Sequence, residues 1–149
     1  MKQVGSVIAG QKTVLVPHDV SVREAVRRMA DRQIGAVPVT DGGRVAGIFT
    51  ERDLMARVVA VGLDPDRTKV ADVMTRELVV ASPTDTCEDC VRLMQQANVR
   101  HLLVLRDGHL DGVVSLRDLL RLDADEKHLV IKLLNAYVHD IPVTFSPEP

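Results

Sequence analysis

The chain has 149 residues, a formal net charge of −2 and 46% hydrophobic residues, a composition typical of folded globular proteins rather than disordered ones. Aromatic residues make up only 2% of the chain and no Lys/Arg-rich run is present, which argues against a nucleic-acid-binding protein. No apolar stretch approaches the roughly 18 residues of a membrane span, and residues 1–10 are too weakly apolar for a secretory signal. We therefore expect a cytoplasmic protein that binds neither nucleic acid nor membrane.

The sequence repeats itself at an offset of 65 residues. Gly47 aligns with Gly112, Asp53 aligns with Asp118, and the register holds upstream without a gap. A period of this length exceeds that of solenoid repeats, so the two copies indicate a duplicated half-domain with pseudo-two-fold symmetry. We assign residues 1–62 to the first copy, 63–69 to a linker, 70–122 to the second copy, 123–140 to a C-terminal helix and 141–149 to a tail.

Each copy is predicted to fold as β-α-β-β-α, which makes the chain an α+β protein. The first copy has apolar patterns for a strand at 13–16, a helix at 21–32 and strands at 36–39 and 45–49. The second copy has the same patterns at 78–81, 86–97, 102–105 and 110–114. In each copy an Asp-Gly pair between the last two strands is typical of a hairpin turn, and a second helix follows.

A Ser or Thr followed three residues later by Asp stands at the start of the second helix in each copy, as Thr50 and Asp53 and as Ser115 and Asp118. The structural interpretation is a capping box, in which the hydroxyl and the carboxylate satisfy main-chain N–H groups at the helix start. The functional interpretation is a nucleotide site, since free N–H donors attract phosphate and an acid on the first turn can hold ribose hydroxyls. Both interpretations can hold for the same residues, and the doubling predicts two related clefts.

The doubled motif resembles that of the cystathionine-β-synthase (CBS) domain family, and the resemblance covers nearly the whole chain. Further matching runs are Ala36-Val37-Pro38-Val39, Asp72-Val73-Met74 and Arg100-His101-Leu102. The resemblance implies two CBS motifs packed with pseudo-two-fold symmetry into a module that commonly pairs as a homodimer. It also implies a regulatory adenine nucleotide in the clefts between the motifs: AMP first, with ATP, NAD or S-adenosylmethionine as alternatives. We expect no catalytic cofactor, and no metal because the histidines and cysteines have no recognised metal-ligand spacing.

The resemblance also implies roles for individual residues. Asp53 and Asp118 would hold ribose hydroxyls, with Thr50 and Ser115 near the ribose and the phosphate. Small or apolar residues on the strands would line the adenine pocket, and basic residues beside them would contact phosphate. The candidate ligand-binding residues are Thr13, Ala36, Pro38, Thr50, Arg52, Asp53, Leu78, Arg100, His101, Leu103, Ser115 and Asp118.

The two copies differ at positions expected to contact the ligand. The second copy has Arg100 and His101 where the first has Gly35 and Ala36, so the two clefts are not chemically equivalent. His101 fits either a phosphate contact or an ordinary packed histidine. Leu103 replaces the proline that the family usually has at its position, which changes the expected shape of the second adenine pocket.

Cys87 and Cys90 invite a redox or a zinc interpretation. In the repeat they align with Val22 and Ala25, which are apolar helix positions, and the chain has no other cysteine. We therefore interpret them as buried structural residues, since a free cysteine packs as a small hydrophobe. No nucleophile with an activating base is recognisable, so we do not expect an enzyme.

Three functions remain open at this point. The favoured one is a regulatory module that senses a nucleotide and signals to a separate, unknown partner protein. The alternatives are a ligand-free dimeric scaffold of the same fold and a small thiol oxidoreductase that uses Cys87 and Cys90. The repeated acid and hydroxyl, together with Arg100 and His101, favour sensing, because a scaffold needs only the helix cap.

Overall fold

The structure is a computed structural model that describes residues 2–121, 131, 134 and 135. The helix expected over residues 123–140 lies, apart from those three positions, outside the described residues, as does the tail at 141–149. In chain order the elements are α1 (Val4–Ile8), β1 (Val16–Pro17), α2 (Val22–Arg32), β2 (Ala36–Asp41), β3 (Arg44–Thr50), α3 (Glu51–Asp53), a π-helical segment (Leu54–Val59), α4 (Val70–Val73), β4 (Val80–Ala81), α5 (Cys87–Ala97), β5 (His101–Arg106), β6 (His109–Ser115) and α6 (Leu116–Leu120).

The strands form two three-stranded mixed sheets, β1-β2-β3 and β4-β5-β6, one from each copy. The first two strands of each sheet are parallel and the last two form an antiparallel hairpin. The registers correspond: Ala36 faces Thr50 across the first hairpin, and His101 faces Ser115 across the second. The expected α+β repeat is therefore confirmed, although the first strand of each copy has two paired residues rather than the expected four.

The long helices α2 and α5 begin and end in the same way. Ser21 and Thr86 are the N-caps and accept hydrogen bonds from main-chain N–H groups three residues later. Gln33 and Asn98 are the C-caps, and both have a φ of 53°, the left-handed conformation that Asn tolerates better than most residues. Each helix packs its apolar stripe into the core of its own copy, with Val22, Ala25 and Met29 from α2 and Cys87, Cys90 and Met94 from α5.

The core of each copy is completed by a short helix that belongs to the other copy. Val70, Val73 and Met74, in and just after α4, pack into the core of the first sheet, and α1 packs into the core of the second. Main-chain hydrogen bonds fix this exchange, with the Val4 amide donating to the Asp85 carbonyl at 2.8 Å. The segment after α1 therefore crosses from the second sheet to the first, which places it at the junction of the two copies.

The second helices of the two copies differ. Glu51–Asp53 is α-helical and continues as the π-helical segment Leu54–Val59, whereas Leu116–Leu120 is a single α-helix. On the π-helical segment, Met55 and Val59 are 63% and 67% exposed, so they lie outside the core. Within the described residues, no helix has the length and apolar character needed to cross a membrane.

Candidate functional site

A cleft with a volume of about 770 Å³ lies between the two copies, and we call it the Asp118 cleft. Its lining includes residues of the segment after α1, the start of β2, the start of β5 and the β6–α6 junction. The structure thus brings residues far apart in the sequence into one cavity. The predicted site residues that line it are Thr13, Ala36, Pro38, Arg100, His101, Ser115 and Asp118.

Both copies contribute apolar residues to the cleft lining, and those of the first copy include Ala36 and Pro38. Ala36 and Pro38 alternate along β2 and both line the cleft, whereas Val37 and Val39 between and after them pack in the core. Val14 and Ile34 add to this lining. The alternation explains why a run of small and apolar residues at 36–39 serves the core and the cavity at once.

Ser115 and Asp118, which line the cleft at the β6–α6 junction, form a capping box. The Ser115 amide donates to Asp118 Oδ2 at 2.8 Å, and the Asp118 amide donates to Ser115 Oγ at 3.0 Å. Within the described part of the chain, nothing donates to Asp118 Oδ1, and the residue is only half-buried. The carboxylate is therefore held in place by one oxygen while the other remains able to accept a hydrogen bond from a ligand.

Cationic side chains predominate around the cleft. Its lining has five Lys or Arg side chains against two carboxylates, those of Glu51 and Asp118, which gives a formal charge of +3 with His101 neutral. All five cations are exposed, and none forms an ion pair with another described residue. Such a lining favours an anionic ligand. The cations are Lys12, Arg32, Arg100, Arg117 and Arg121.

His101 lies at the start of β5, directly opposite Ser115 in the hairpin. Burial lowers the pKa of His101, because the protonated ring loses hydration, and the nearby carboxylates of Glu51 and Asp118 oppose this shift. The imidazole is therefore neutral at pH 7, and one of its nitrogens can accept a hydrogen bond while the other donates. A phosphate nearby would favour its protonation.

The remaining predicted site residues lie elsewhere. Asp53 is only 5% exposed and does not line the Asp118 cleft, although it forms the same capping box with Thr50 as its counterpart does. Arg52 Nη1 donates to the Asn98 carbonyl at 3.0 Å. Leu103 is 1% exposed within β5, and Leu78 is half-buried just before β4.

Thirteen lining residues were not among those predicted from the sequence. Apart from Arg117, the charged ones are Lys12, Arg32, Glu51 and Arg121. Their chain positions gave no motif to follow, since three of them lie at helix ends and Lys12 precedes the first strand. The repeat did contain a signal, because their counterparts at the 65-residue offset are Glu77, Ala97, Leu116 and Ala56, so every charge differs between the copies.

The two cysteines occupy core positions of α5. Cys87 and Cys90 are 0% and 1% exposed, and they are not joined by a disulfide. Burial raises the pKa of Cys90 to about 12, so its thiol is protonated at neutral pH and a poor nucleophile. Among the described residues, no group of three or more His, Cys, Asp or Glu side chains could hold a metal ion.

Comparisons with known proteins agree with this architecture. The family model described as "CBS domain" matches residues 4–60 and 70–125. The mitochondrial CBS domain-containing protein CBSX3 of Arabidopsis thaliana is 34% identical over 125 residues, which cover 80% of this chain and 61% of that protein. The CBS domain-containing protein YhcV of Bacillus subtilis (strain 168) is also 34% identical, over 80% of this chain and 84% of its own length. The chain thus spans less than two thirds of the Arabidopsis protein.

Solved structures give the same result. A protein with CBS domains from Burkholderia ambifaria MC40-6 superimposes with a TM-score of 0.76 at 29% identity, over 97% of this chain and 100% of that one. A CBS-domain-containing protein from Agrobacterium tumefaciens has a TM-score of 0.75 at 34% identity, over 80% and 98% of the two chains. Both the paired sheets and their order along the chain are therefore shared with known structures.

Proposed function

Because the chain belongs to the CBS-domain family, whose tandem copies are generally regulatory ligand-binding modules, we propose that it senses an adenine nucleotide in the Asp118 cleft. The observation that carries this proposal is the carboxylate of Asp118 at the edge of a cationic cleft: Oδ2 is fixed by the Ser115 amide, and Oδ1 has no donor among the described residues. A carboxylate oxygen in that situation suits a pair of ribose hydroxyls.

The cleft has the three kinds of surface that a nucleotide needs. Ala36 and Pro38 offer an apolar wall on which an adenine ring can lie. Asp118 accepts from the ribose, and Ser115, whose hydroxyl already accepts from the Asp118 amide, lies beside it. Arg100 and His101 at the start of β5 contact the phosphate, and the other exposed cations of the cleft add to its attraction. AMP is the first candidate, and ATP and NAD carry the same groups.

Sensing follows from the position of the cleft between the copies. A ligand that touches both β2 of the first copy and the β6–α6 junction of the second favours the arrangement in which both surfaces are close. This differential affinity shifts the relative position of the copies, and a partner protein or the second subunit of a homodimer reads the shift. Residues 123–140 follow α6 directly, which makes that segment our candidate for the output contact.

A regulatory module is favoured over the two other functions. A scaffold would need the capping box of Ser115 and Asp118 but not the five cations of the cleft, which form no ion pair with another described residue. A thiol oxidoreductase would need an accessible thiolate, whereas Cys87 and Cys90 are buried and the pKa of Cys90 is raised to about 12 by burial. We further propose that the protein acts in the cytoplasm and does not bind nucleic acid, given its net charge of −2.

The test is to identify the ligand and then to remove its anchor. Mass spectrometry of the gently purified protein should detect a retained adenine nucleotide, and a thermal-shift panel should rank AMP, ATP, NAD and S-adenosylmethionine. Isothermal titration then compares the wild type with Asp118→Ala. If none of these ligands raises the melting temperature or gives a titration signal, the proposal is contradicted and the scaffold function is favoured.

A further inference from the structure

We propose that the chain binds one nucleotide rather than two, because Thr75 and Arg57 occupy the Asp53 carboxylate and make it a structural residue. This inference rests on the proposed function of the Asp118 cleft and concerns the pseudo-equivalent position in the first copy. Asp53 is the repeat counterpart of Asp118 and has the same place in a capping box. Its remaining contacts decide whether it is available to a ligand.

Both oxygens of Asp53 have protein partners. Oδ2 accepts from the Thr50 amide at 3.0 Å and from Thr50 Oγ1 at 3.2 Å. Oδ1 accepts from Thr75 Oγ1 at 2.9 Å, and Arg57 Nε lies 3.7 Å from it. The carboxylate is 5% exposed, so a ribose would have to displace the Thr75 hydroxyl and then compete with Arg57 for the same oxygen.

Thr75 cannot move away without further cost. Its main chain exchanges two hydrogen bonds with Ile48 on β3, at 2.9 and 2.8 Å, which fixes the residue beside Asp53. A methyl group at Gly47 would lie 2.8 Å from the Thr75 carbonyl oxygen, so the glycine is what permits this close approach. Arg57 is also fixed, because its Nη1 donates to the Met74 carbonyl at 2.9 Å.

Among the described residues, the second copy has no counterpart of either partner, which explains why Asp118 Oδ1 remains available. At the 65-residue offset, the counterpart of Arg57 is Leu122, which has no donor. On the edge of β6 the position of the Thr75 main chain is taken by the side-chain amide of Gln11, which bonds to Val113. The Gln11 amide is committed to the main chain, and no described residue donates a hydrogen bond to Asp118 Oδ1.

The charges point in the same direction independently of the hydrogen bonds. At the 65-residue offset, only one of the five cations of the Asp118 cleft aligns with another cation, and one aligns with an acid. The first-copy position would therefore attract a phosphate far less. That one cation, Arg52, already donates to the Asn98 carbonyl across the copies, whereas Arg117 has no partner among the described residues. The counterparts are Glu77, Ala97, Gly35, Arg52 and Ala56.

Titration of AMP and ATP into the wild-type protein tests the stoichiometry. We expect one ligand per chain, a loss of about tenfold or more in affinity for Asp118→Ala, and an affinity within about twofold of the wild type for Asp53→Asn. Two ligands per chain, or a comparable loss in Asp53→Asn, overturns the inference while leaving the proposed function intact. No binding of any ligand by the folded wild type overturns the proposed function and this stoichiometry with it.

A stability measurement tests the structural role of Asp53 without a ligand. Thr75→Val removes the hydroxyl but keeps the shape of the side chain, so it remains usable if Asp53→Asn folds poorly. We expect each variant to lower the melting temperature by about 3 °C or more, and the double variant to lose clearly less than the sum of the two. Asp118→Asn is the matched control, and its effect on the melting temperature should simply add to that of Thr75→Val. Additive losses for Asp53 and Thr75 overturn the assignment of Asp53 as a structural residue.

Discussion

The side-chain amide of Gln11 forms two hydrogen bonds with the main chain of Val113: Nε2 donates to the carbonyl oxygen at 3.0 Å, and Oε1 accepts from the amide at 2.9 Å. In the first copy the same edge of the hairpin is occupied by main chain, since Thr75 exchanges two hydrogen bonds with Ile48. One side chain thus replaces a strand contact in the second copy. It also fixes the segment that carries Thr13 into the Asp118 cleft.

Gln11→Met should weaken both the fold and the cleft. The variant keeps the length of the side chain but removes both hydrogen bonds, so we expect a loss of about 1–2 kcal/mol in the free energy of unfolding. Ligand affinity should also fall several-fold, because Lys12 and Thr13 lose their anchor. Urea unfolding and isothermal titration measure the two effects. Gln96→Met, at an exposed helix position, is the matched control, and an equal effect of both variants would contradict the role of the anchor.

Asp118 and Arg100 should contribute to ligand binding in different ways. Asp118→Ala should reduce AMP affinity about tenfold or more, because a hydrogen bond between a carboxylate and a hydroxyl contributes roughly 1.5–3 kcal/mol. Arg100→Ala should reduce the affinity for AMP more than that for adenosine, since the guanidinium would contact only the phosphate. Isothermal titration with both ligands measures the difference. The stability of each variant must be measured in parallel, because Asp118 also belongs to the capping box.

If AMP affinity is unchanged in both variants and folding is intact, Ser115 and Asp118 serve only as a helix cap and do not bind the ligand. Arg100 provides the necessary control here, because its side chain has no capping role and no ion pair among the described residues. Its main-chain carbonyl accepts from the Leu116 amide at 2.9 Å, a contact that the alanine variant keeps.

The double variant Cys87→Val with Cys90→Ala should leave the fold and ligand binding nearly intact. It reproduces Val22 and Ala25 of the first copy, both of which are 0% exposed in the equivalent core. Apolar substitutions of similar volume usually cost less than about 1.5 kcal/mol. Chemical unfolding and AMP titration check the result. Loss of a thiol-exchange activity or of a bound metal in the double variant would instead support the oxidoreductase function.

The repeat and the capping boxes were predictable because they depend on local sequence. Period-two patterns, Asp-Gly turns and the Ser/Thr-x-x-Asp spacing each report on neighbouring residues, and the 65-residue offset carries one copy onto the other. The bonds of Thr75 to Asp53 and of Gln11 to Val113 were not predictable in this way, since they join residues 22 and 102 positions apart. The packing of α1 into the core of the second copy, and of α4 into the core of the first, was not predictable for the same reason.

We expect the protein to form a closed two-fold dimer, as pairs of CBS motifs commonly do. The most exposed large apolar residues among those described are on the first copy, where Met55, Val59 and Val61 are each more than 60% exposed. On α6 of the second copy, Leu119 is 0% exposed, so it cannot contribute to a dimer contact. Val59→Glu should lower the apparent mass in light scattering from a dimer towards a monomer. A monomer mass for the wild type at every concentration would contradict the dimer.

Ligand affinity should rise as the pH falls, through protonation of His101. Burial lowers the pKa of His101 below its ordinary value of about 6.5, against the opposing effect of Glu51 and Asp118, so the free protein binds the ligand with a neutral ring at pH 7. A bound phosphate stabilises the imidazolium and raises the pKa of His101 in the complex. Since the complex then binds more protons than the free protein, lowering the pH through that interval must favour binding.

The comparison of wild type with His101→Gln isolates this effect from the titration of the nucleotide itself. Between about pH 8 and pH 6 we expect the affinity of the wild type for AMP to rise relative to that of the variant, by at most about tenfold for each unit by which the bound phosphate raises the pKa of His101. Adenosine should show no such difference, because it lacks the phosphate. Glutamine keeps the hydrogen-bonding capacity of the ring at similar length but does not titrate, so parallel pH profiles for wild type and variant would place the phosphate away from His101.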